Sequence, residues 1–284
     1  MSFLKAILLS LLQGATEFLP VSSSGHLALA SQLMEIDPES NVPFAVLVHF
    51  GTLIAIVIVF RHDIRRMTMY LLRDGWKETS EKSVKQAWLQ NPRGRMILSV
   101  MLAIIPTAFT GLLFRDFFGG LYENPVSVGW ALIATALLLA STLLFKRCRD
   151  DESRAARQVL TFPFWAALLI GCAQAIAIIP GISRSGSTIA VALLLGLHRR
   201  VAGEFSFLIA IPVIAGAVAL ELPDLFEPGS GQLTLLTGLA ALLVSTVSGY
   251  FFLKLLLRFV QKGNFGYFSI YCFALGLWAI AYFS

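Results

Sequence analysis

Long apolar stretches separated by short polar segments run along most of the chain. Six of these stretches have the roughly 20 apolar residues that a helix needs to cross a bilayer. They cover approximately 42–60, 95–114, 127–146, 203–221, 233–257 and 266–283. The pattern therefore predicts an all-α polytopic membrane protein with six transmembrane helices.

Two further apolar stretches, about 3–34 and 162–197, are interrupted near the middle. The first is broken by LPVSSSG at 19–25 and the second by PGISRSG at 180–186. Proline, glycine and serine stop a helix there and free backbone groups that lipid cannot satisfy, so such breaks are tolerated only inside protein or beside a wet cavity. We expect each stretch to form a re-entrant helical hairpin.

The two interrupted stretches are copies of one another. A shift of 161 residues superimposes identical residues, including Gln13 on Gln174, Ser22 on Ser183, Ser24 on Ser185 and Gly25 on Gly186. Three predicted spans separate the copies, and because three is odd the second copy enters the membrane from the opposite side. The expected organisation is an inverted-topology repeat in a single membrane domain, 1–284, with units of about 3–115 and 162–284 linked by span 127–146.

Composition and charge agree with this organisation. The chain is 57% hydrophobic and 14% charged, against about 25% charged in soluble domains. Of its 22 lysine and arginine residues, 19 fall on one side of the predicted spans, chiefly at 61–95 and 146–157. Basic loops face the cytoplasm, so both termini are predicted to be external, and the net charge requires no nucleic acid partner. The three cysteines lack the spacing of a zinc site or a disulfide framework.

Each break leads into a new helix at a serine-rich turn. The first N–H groups of a helix are unpaired and carry positive dipole character, so two such helix starts together favour an anion. The alternative is that Ser22 and Ser183 only cap helices in a buried turn. Arg184 favours the anion site, because its fork of donors fits phosphate or carboxylate and its charge is costly in an apolar hairpin unless paired. A structural ion pair with Glu17 is the alternative for that residue.

Glu17 and His26 flank the first break at membrane depth. An ionisable side chain at such a depth is a functional candidate by default, although a lone buried histidine is more often a satisfied polar group. A carboxylate, serines and an arginine at the matching position of the other copy favour a functional His26. Three other ionisable residues lie near span ends, where a wet edge explains them equally well: His49, Glu204 and Glu221.

The sequences QGATEFLPVSSSGH at 13–26 and PGISRSGST at 180–188 closely resemble the two signature motifs of the undecaprenyl-diphosphate phosphatase family associated with bacitracin resistance. Their order, spacing and setting match over essentially the whole chain. The resemblance implies a bacterial inner-membrane enzyme that removes the terminal phosphate of a polyprenyl diphosphate lipid, undecaprenyl diphosphate. The product is the lipid carrier for peptidoglycan and other wall polymers. The resemblance also implies a divalent cation, Mg²⁺ or Ca²⁺, and a homodimer.

Matched residue by residue, the resemblance places the family's catalytic positions on Glu17, Ser23, His26 and Arg184. Glu17 would also bind the cation, directly or through water. Where many members carry a first glutamate, this chain has Gln13, which can coordinate or hydrogen-bond but supplies no second negative charge. Together with the hairpin N–H groups and Arg184, the substrate-binding set would be Gln13, Ser22, Ser24, Ser183, Ser185 and Thr188.

Three species could attack phosphorus. His26 follows Ser23 by three residues, so on a helix that starts at the turn the two side chains share a face and can hydrogen-bond. That geometry suits Ser23 as nucleophile with His26 as base, but His26 as nucleophile or a water activated by it fits the same residues. A transporter or lipid flippase is the rival function, because an inverted repeat with broken helices suits it as well. The intramembrane set of Glu17, His26 and Arg184 favours the enzyme.

Overall fold

The computed structural model describes residues 2–36, 42–81, 83–114, 121, 124–144, 163–223 and 233–284. Regular structure within these ranges is entirely helical, and six helices are long and apolar enough to cross a membrane. The predicted all-α polytopic fold is therefore confirmed. The basic segment predicted at 146–157 lies outside the described residues.

The helices divide between the two halves of the chain. The first half contains α1 (Phe3–Thr16), α2 (Ser23–Leu33), α3 (Val42–Met69), α4 (Gly75–Glu81), α5 (Pro92–Leu113) and α6 (Pro125–Leu144). The second half contains α7 (Phe164–Ile176), α8 (Arg184–Leu194), α9 (Arg199–Glu221), α10 (Leu235–Gln261) and α11 (Phe268–Phe283). Short π-helical turns cover Tyr70–Asp74 and Lys85–Gln90, and a 3₁₀ turn covers Phe265–Tyr267.

The long helices overlap all six predicted spans, but several continue beyond the apolar stretch. The helix predicted over 42–60 runs on through RHDIRRMTM to Met69, with a kink at Phe60. Arginine and methionine are good helix formers, so the helix continues although the sequence is no longer apolar. The basic 61–95 segment, expected as a loop, is helical over most of its described length.

Both interrupted stretches contain two short helices in place of one long helix. The first helix of each pair, α1 or α7, has 14 or 13 residues. At 1.5 Å per residue these helices are about 20 Å long, which is less than the roughly 30 Å of a hydrocarbon core. The second helix of each pair, α2 or α8, has 11 residues. The chain therefore breaks twice where proline, glycine and serine predicted that it would.

In each half of the chain, the first short helix packs against a long helix of the other half. Helix α1 packs against α10 of the second half, and α7 packs against α5 of the first half. A Cβ on Gly14 would lie 2.9 Å from the backbone N of Gly249, and one on Gly171 would lie 2.3 Å from the carbonyl O of Ala103. Small residues at such crossings allow helix backbones to approach closely. Each short helix is thereby fixed by a long helix of the other half.

Two further contacts fix the region of the first break. Helices α6 and α11 cross where a Cβ on Gly129 would lie 2.9 Å from the carbonyl O of Gly276. Phe18, one residue after Glu17, is fully buried, and its ring packs edge-on against Phe207 of α9 with centroids 5.9 Å apart. The Phe18 ring also lies against α10, where a Cβ on Gly249 would lie 2.9 Å from it, so the residue next to Glu17 is packed between α9 and α10.

Candidate active site

The first break is a turn closed by a serine cap. Ser22 precedes α2, and its hydroxyl accepts a hydrogen bond from the N–H of Gly25 at 3.2 Å. Its φ of +69° lies in the left-handed region that side chains rarely adopt, at a cost of order 1–3 kcal/mol. The cap satisfies one free N–H at the start of α2, as the serine-rich pattern predicted.

The second break has the same cap in a relaxed backbone. Ser183 precedes α8, and its hydroxyl accepts from the N–H of Gly186 at 3.0 Å. Here the left-handed position falls on Gly181, at φ +95°, where no side chain is strained. Thr135 of α6 braces this turn, because its hydroxyl donates to the Gly181 carbonyl at 3.0 Å and accepts from the Ser183 N–H at 3.1 Å.

The two breaks are in contact with each other. A Cβ on Gly25 would lie 3.0 Å from the Cα of Gly181, and a Cβ on Gly186 would lie 3.4 Å from the Cβ of Pro20. The hydroxyl of Ser185 donates across the contact to the carbonyl of Leu19 at 3.3 Å. The starts of α2 and α8 are therefore brought together, as an anion site built from both copies requires.

Glu17 joins the two helix starts. Its Oε2 accepts from the hydroxyl of Ser23, the first residue of α2, at 2.6 Å. Its Oε1 accepts from Nη2 of Arg184, the first residue of α8, at 2.6 Å. The side-chain N–H of Gln13, one helical turn earlier, donates to Oε2 at 3.0 Å. One carboxylate thus collects donors from both copies.

The Glu17–Arg184 ion pair is largely removed from water, with side-chain exposures of 7% and 15%. The ion pair considered from sequence is therefore present, and each charge needs the other because an unpaired buried charge is costly. Among the described residues, Nη1 of Arg184 and Oε1 of Gln13 are buried and have no hydrogen-bond partner. A guanidinium nitrogen left free beside a carboxylate can donate to an oxygen of a bound anion.

Ser23 and His26, which the helical spacing allows to hydrogen-bond to each other, have other partners. Ser23 donates to Glu17, whereas the Nδ1 of His26 lies 2.8 Å from the carbonyl O of Ser22 and its Nε2 lies 2.7 Å from the hydroxyl of Tyr271 on α11. The three-residue spacing allowed the pair, but tertiary partners from outside α2 occupy both side chains. Sequence reasoning missed Tyr271 and Thr135, because each comes from a distant apolar helix with no motif around it.

The remaining predicted residues lie at the two breaks or in contact with residues of the breaks. The hydroxyls of Ser22 and Ser24 are 3.2 Å apart, and those of Ser183 and Ser185 are 3.3 Å apart. The hydroxyl of Thr188 is fully buried, donates to the carbonyl of Arg184 at 2.9 Å and also contacts Ser206. His49, for which a wet span end was an equally good explanation from sequence, is half-buried, and its Nδ1 lies 2.8 Å from the carbonyl O of Ala45.

The side chains present fit a divalent cation only when it is shared with a substrate. Among the described residues, no group of three or more His, Cys, Asp or Glu side chains could hold a metal ion. The carboxylate of Glu17 and the hydroxyl of Ser23 nevertheless bring oxygen atoms together at 2.6 Å, and Gln13, whose Nε2 faces Glu17, would add its amide oxygen if the amide group turned over. Magnesium commonly takes one or two carboxylates and completes its shell with substrate phosphates and water, which matches this set.

Known proteins of one family are similar to this chain over nearly its whole length. Residues 6–278 match the family described as bacitracin resistance protein BacA. The chain is 36% identical over 280 residues to the undecaprenyl-diphosphatase of Halothermothrix orenii, covering 99% of this chain and 98% of that protein. It is 38% identical over 282 residues to the undecaprenyl-diphosphatase of Desulforapulum autotrophicum, covering 99% and 98%. The enzyme of the same name from Syntrophotalea carbinolica is 38% identical over 277 residues, covering 97% of each.

Proposed function

The chain belongs to the bacitracin resistance protein BacA family, and from this premise we propose that it hydrolyses undecaprenyl diphosphate to undecaprenyl phosphate and inorganic phosphate. The reaction would recycle the lipid carrier for cell-wall polymers in the bacterial inner membrane, and so confer bacitracin resistance. The similar proteins are named as diphosphatases, which favours hydrolysis over the transporter or flippase alternative.

One observation supports this function above the others: the first residues of α2 and α8 both reach the carboxylate of Glu17. A diphosphate bound there would meet the free N–H groups of two helix starts and the unpartnered Nη1 of Arg184. Phosphoryl transfer requires mainly positioning and stabilisation of charge on the phosphoryl oxygens. The converging helix starts and Arg184 would supply both.

Ser23 is the nucleophile that the geometry favours. Its hydroxyl already donates to Glu17 at 2.6 Å, so Glu17 would accept the proton as Ser23 Oγ attacks the terminal phosphorus. The bond from that phosphorus to the bridging oxygen would break, and undecaprenyl phosphate would leave with the electron pair. Water would then attack the phosphoserine, with the buried imidazole of His26 as candidate base. The water oxygen would bond to phosphorus, the bond from phosphorus to Ser23 Oγ would break, and Oγ would take back the proton held by Glu17 as inorganic phosphate leaves.

Gln13, Glu17 and Ser23 would hold the divalent cation together with the substrate. When bound, the cation would neutralise negative charge on the diphosphate oxygens. Because Gln13 brings no negative charge, Glu17 would be the one carboxylate that holds the cation. Phosphate release measured with and without a chelator tests this arrangement.

The decisive experiment is phosphate release from undecaprenyl diphosphate by the purified protein in detergent. Ser23→Ala should remove nearly all turnover, while Ser31→Ala, a change on the same helix away from the turn, should not. A quenched reaction should contain acid-stable phosphoserine. Acid-labile phosphohistidine would instead identify His26 as the nucleophile. A Ser23→Ala protein within about tenfold of the parent would fit water attack, where only a positioning hydrogen bond is lost.

The proposal also includes an orientation in which both termini are external and the two short-helix pairs are re-entrant. The charge distribution supports it, because the basic 61–95 segment would face the cytoplasm. Introduced cysteines treated with an impermeant thiol reagent in intact cells provide the test. Labelling near Ser284 without labelling at 77–81 is expected, and the reverse pattern would overturn the orientation.

A further inference from the structure

We propose that Tyr271 is a positioning residue that holds the His26 ring in one tautomer and one orientation for the reaction. The inference rests on the proposed function and extends it to a side chain on α11. Tyr271 and His26 are 245 residues apart in sequence, yet their side chains are joined by a 2.7 Å hydrogen bond.

The tautomer follows from the partner of the other ring nitrogen. His26 Nδ1 lies 2.8 Å from the carbonyl O of Ser22. A carbonyl oxygen can only accept, so Nδ1 must carry the hydrogen. In the neutral ring Nε2 then has a free lone pair, and the Tyr271 hydroxyl donates to it. Both nitrogens are thus assigned by their partners, and rotation of the ring would break two hydrogen bonds.

The strained backbone of Ser22 presents the carbonyl that holds the His26 ring. Its φ of +69° sets the direction of the carbonyl that receives Nδ1. The same carbonyl also accepts the backbone N–H of His26 at 3.1 Å. In the other copy, the carbonyl of Ser183 accepts the backbone N–H of Ser187, the residue that matches His26 and has no imidazole. The strained turn therefore occurs in the copy that has an imidazole to hold.

The position of Tyr271 is itself fixed from two directions. Its ring lies parallel to the His26 ring, with an interplanar angle of 7° and centroids 5.7 Å apart. The thiol of the next residue, Cys272, donates to the carbonyl of Pro20 in the first break at 3.4 Å. Together with the close α6–α11 crossing, these contacts fix the part of α11 that carries Tyr271 next to the first break.

Burial indicates that the hydroxyl matters more than the ring for this contact. Tyr271 is 49% exposed, whereas His26 is only 7% exposed. Replacing Tyr271 by phenylalanine would therefore remove the hydrogen bond and leave most of the packing in place. The hydrogen bond also directs Nε2 to Tyr271, while Glu17 receives the Ser23 proton. Because the one lone pair of the neutral His26 ring faces the Tyr271 hydroxyl, a proton from the attacking water would reach Nε2 through that hydroxyl, whose oxygen would accept the proton while its own hydrogen passes to Nε2. Glu17 and His26 would thus accept different protons.

The test compares Tyr271→Phe with Tyr282→Phe, a matched change on the same helix at an exposed tyrosine. We expect Tyr271→Phe to lower kcat for undecaprenyl diphosphate by about 10- to 100-fold, as for loss of one buried hydrogen bond, with KM changed less than about threefold. Tyr282→Phe should leave kcat unchanged. A kcat for Tyr271→Phe within about twofold of the parent would overturn the proposal.

A spectroscopic measurement separates this inference from the proposed function. In protein labelled with ¹⁵N-histidine, the His26 signals are identified by their loss in His26→Asn. The parent should show a hydrogen on Nδ1 and a hydrogen-bonded Nε2, and Tyr271→Phe should shift the Nε2 signal while Tyr282→Phe does not. An Nε2 signal unmoved in Tyr271→Phe would refute the inference even if the enzyme is fully active. A parent protein without phosphatase activity would instead refute the proposed function, and the spectra would still report on the tautomer.

Discussion

The first and second breaks of the chain have the same serine-capped helix start and differ in the side chains that it carries. In each, a serine accepts from the N–H three residues later, through Ser22 and Gly25 in one and Ser183 and Gly186 in the other. The glycine in each pair lies against the other break. The repeat therefore provides two capped helix starts of the same design, and these two starts lie against each other.

The difference lies at three matched positions. Glu17 and His26 of the first copy correspond to Ile178 and Ser187 of the second, and Ser23 corresponds to Arg184. The first copy thus holds the acid–base and nucleophile candidates, and the second holds the cationic clamp. Because Glu17 contacts Ser23 and Arg184 together, neither copy contains a complete site. The two copies therefore share one backbone arrangement and carry complementary charges on it.

Removing the carboxylate from the first copy should produce the largest effect. Glu17→Gln takes away the acceptor for the Ser23 proton and leaves Arg184 without its counter-charge. We expect phosphate release to fall by about 10³-fold or more, near the upper range for a general base. Glu204→Gln, at an exposed ion pair with Arg200, is the control. If Glu17→Gln keeps more than about a tenth of the activity, the first copy is not the acid–base half.

Changing the clamp of the second copy should have the next largest effect. Arg184→Lys keeps the positive charge but loses the planar fork that can hold Glu17 through one nitrogen and an anion through the other. We expect turnover to fall about 10²-fold, the scale for losing one preorganised donor to a developing charge. The protein should remain folded and in the membrane fraction, and Arg200→Lys should be near normal. Near-normal turnover in Arg184→Lys would show that Arg184 acts only as a point charge.

Sequence reasoning predicted the features that depend on local pattern. Apolar length gave the six long helices, and proline, glycine and serine gave both breaks. The 161-residue repeat placed Arg184 opposite the first break, and the Glu17–Arg184 pair was one of two alternatives for it. The two alternatives are compatible, because Nη2 of Arg184 pairs with Glu17 while Nη1 has no partner and can donate to an anion.

The features that sequence could not predict depend on contacts between distant helices. Ser23 and His26 share a helical face, so their pairing was the natural local expectation. Glu17 and Tyr271 compete for these side chains from outside α2, and the tertiary partners win. Nothing in an apolar helix distinguishes the tyrosine that meets His26 from the exposed Tyr282. The extension of α3 beyond residue 60 was missed because hydropathy reports lipid contact and not helix length.

The contact between the breaks can be tested by adding one methyl group to either copy. A Cβ on Gly25 would lie 3.0 Å from Gly181, and one on Gly186 would lie 2.9 Å from the Ser183 cap. We expect Gly25→Ala and Gly186→Ala each to destabilise the protein by about 1–3 kcal/mol through overpacking. Thermal unfolding in one detergent measures the effect. Gly216→Ala on α9, where a Cβ would meet nothing within 4 Å, should not lower the transition. Equal transitions in all three variants would mean that the breaks are not tightly packed.

The smallest predicted effect is a difference between two matched glycine substitutions. Ser22→Gly and Ser183→Gly each lose a cap at a cost of a few tenths of a kcal/mol, and each adds unfolded-state entropy worth about 0.5–1 kcal/mol. Ser22→Gly alone also relieves a left-handed backbone, because φ is +69° at Ser22 and −77° at Ser183. That relief is worth of order 1–3 kcal/mol, so Ser22→Gly should be near neutral or stabilising while Ser183→Gly lowers the unfolding transition. Measured side by side, a Ser22→Gly protein less stable than the Ser183→Gly protein would mean that the two caps do not differ in strain. The positive φ at Ser22 could then no longer be interpreted as the cost of directing its carbonyl to the imidazole of His26.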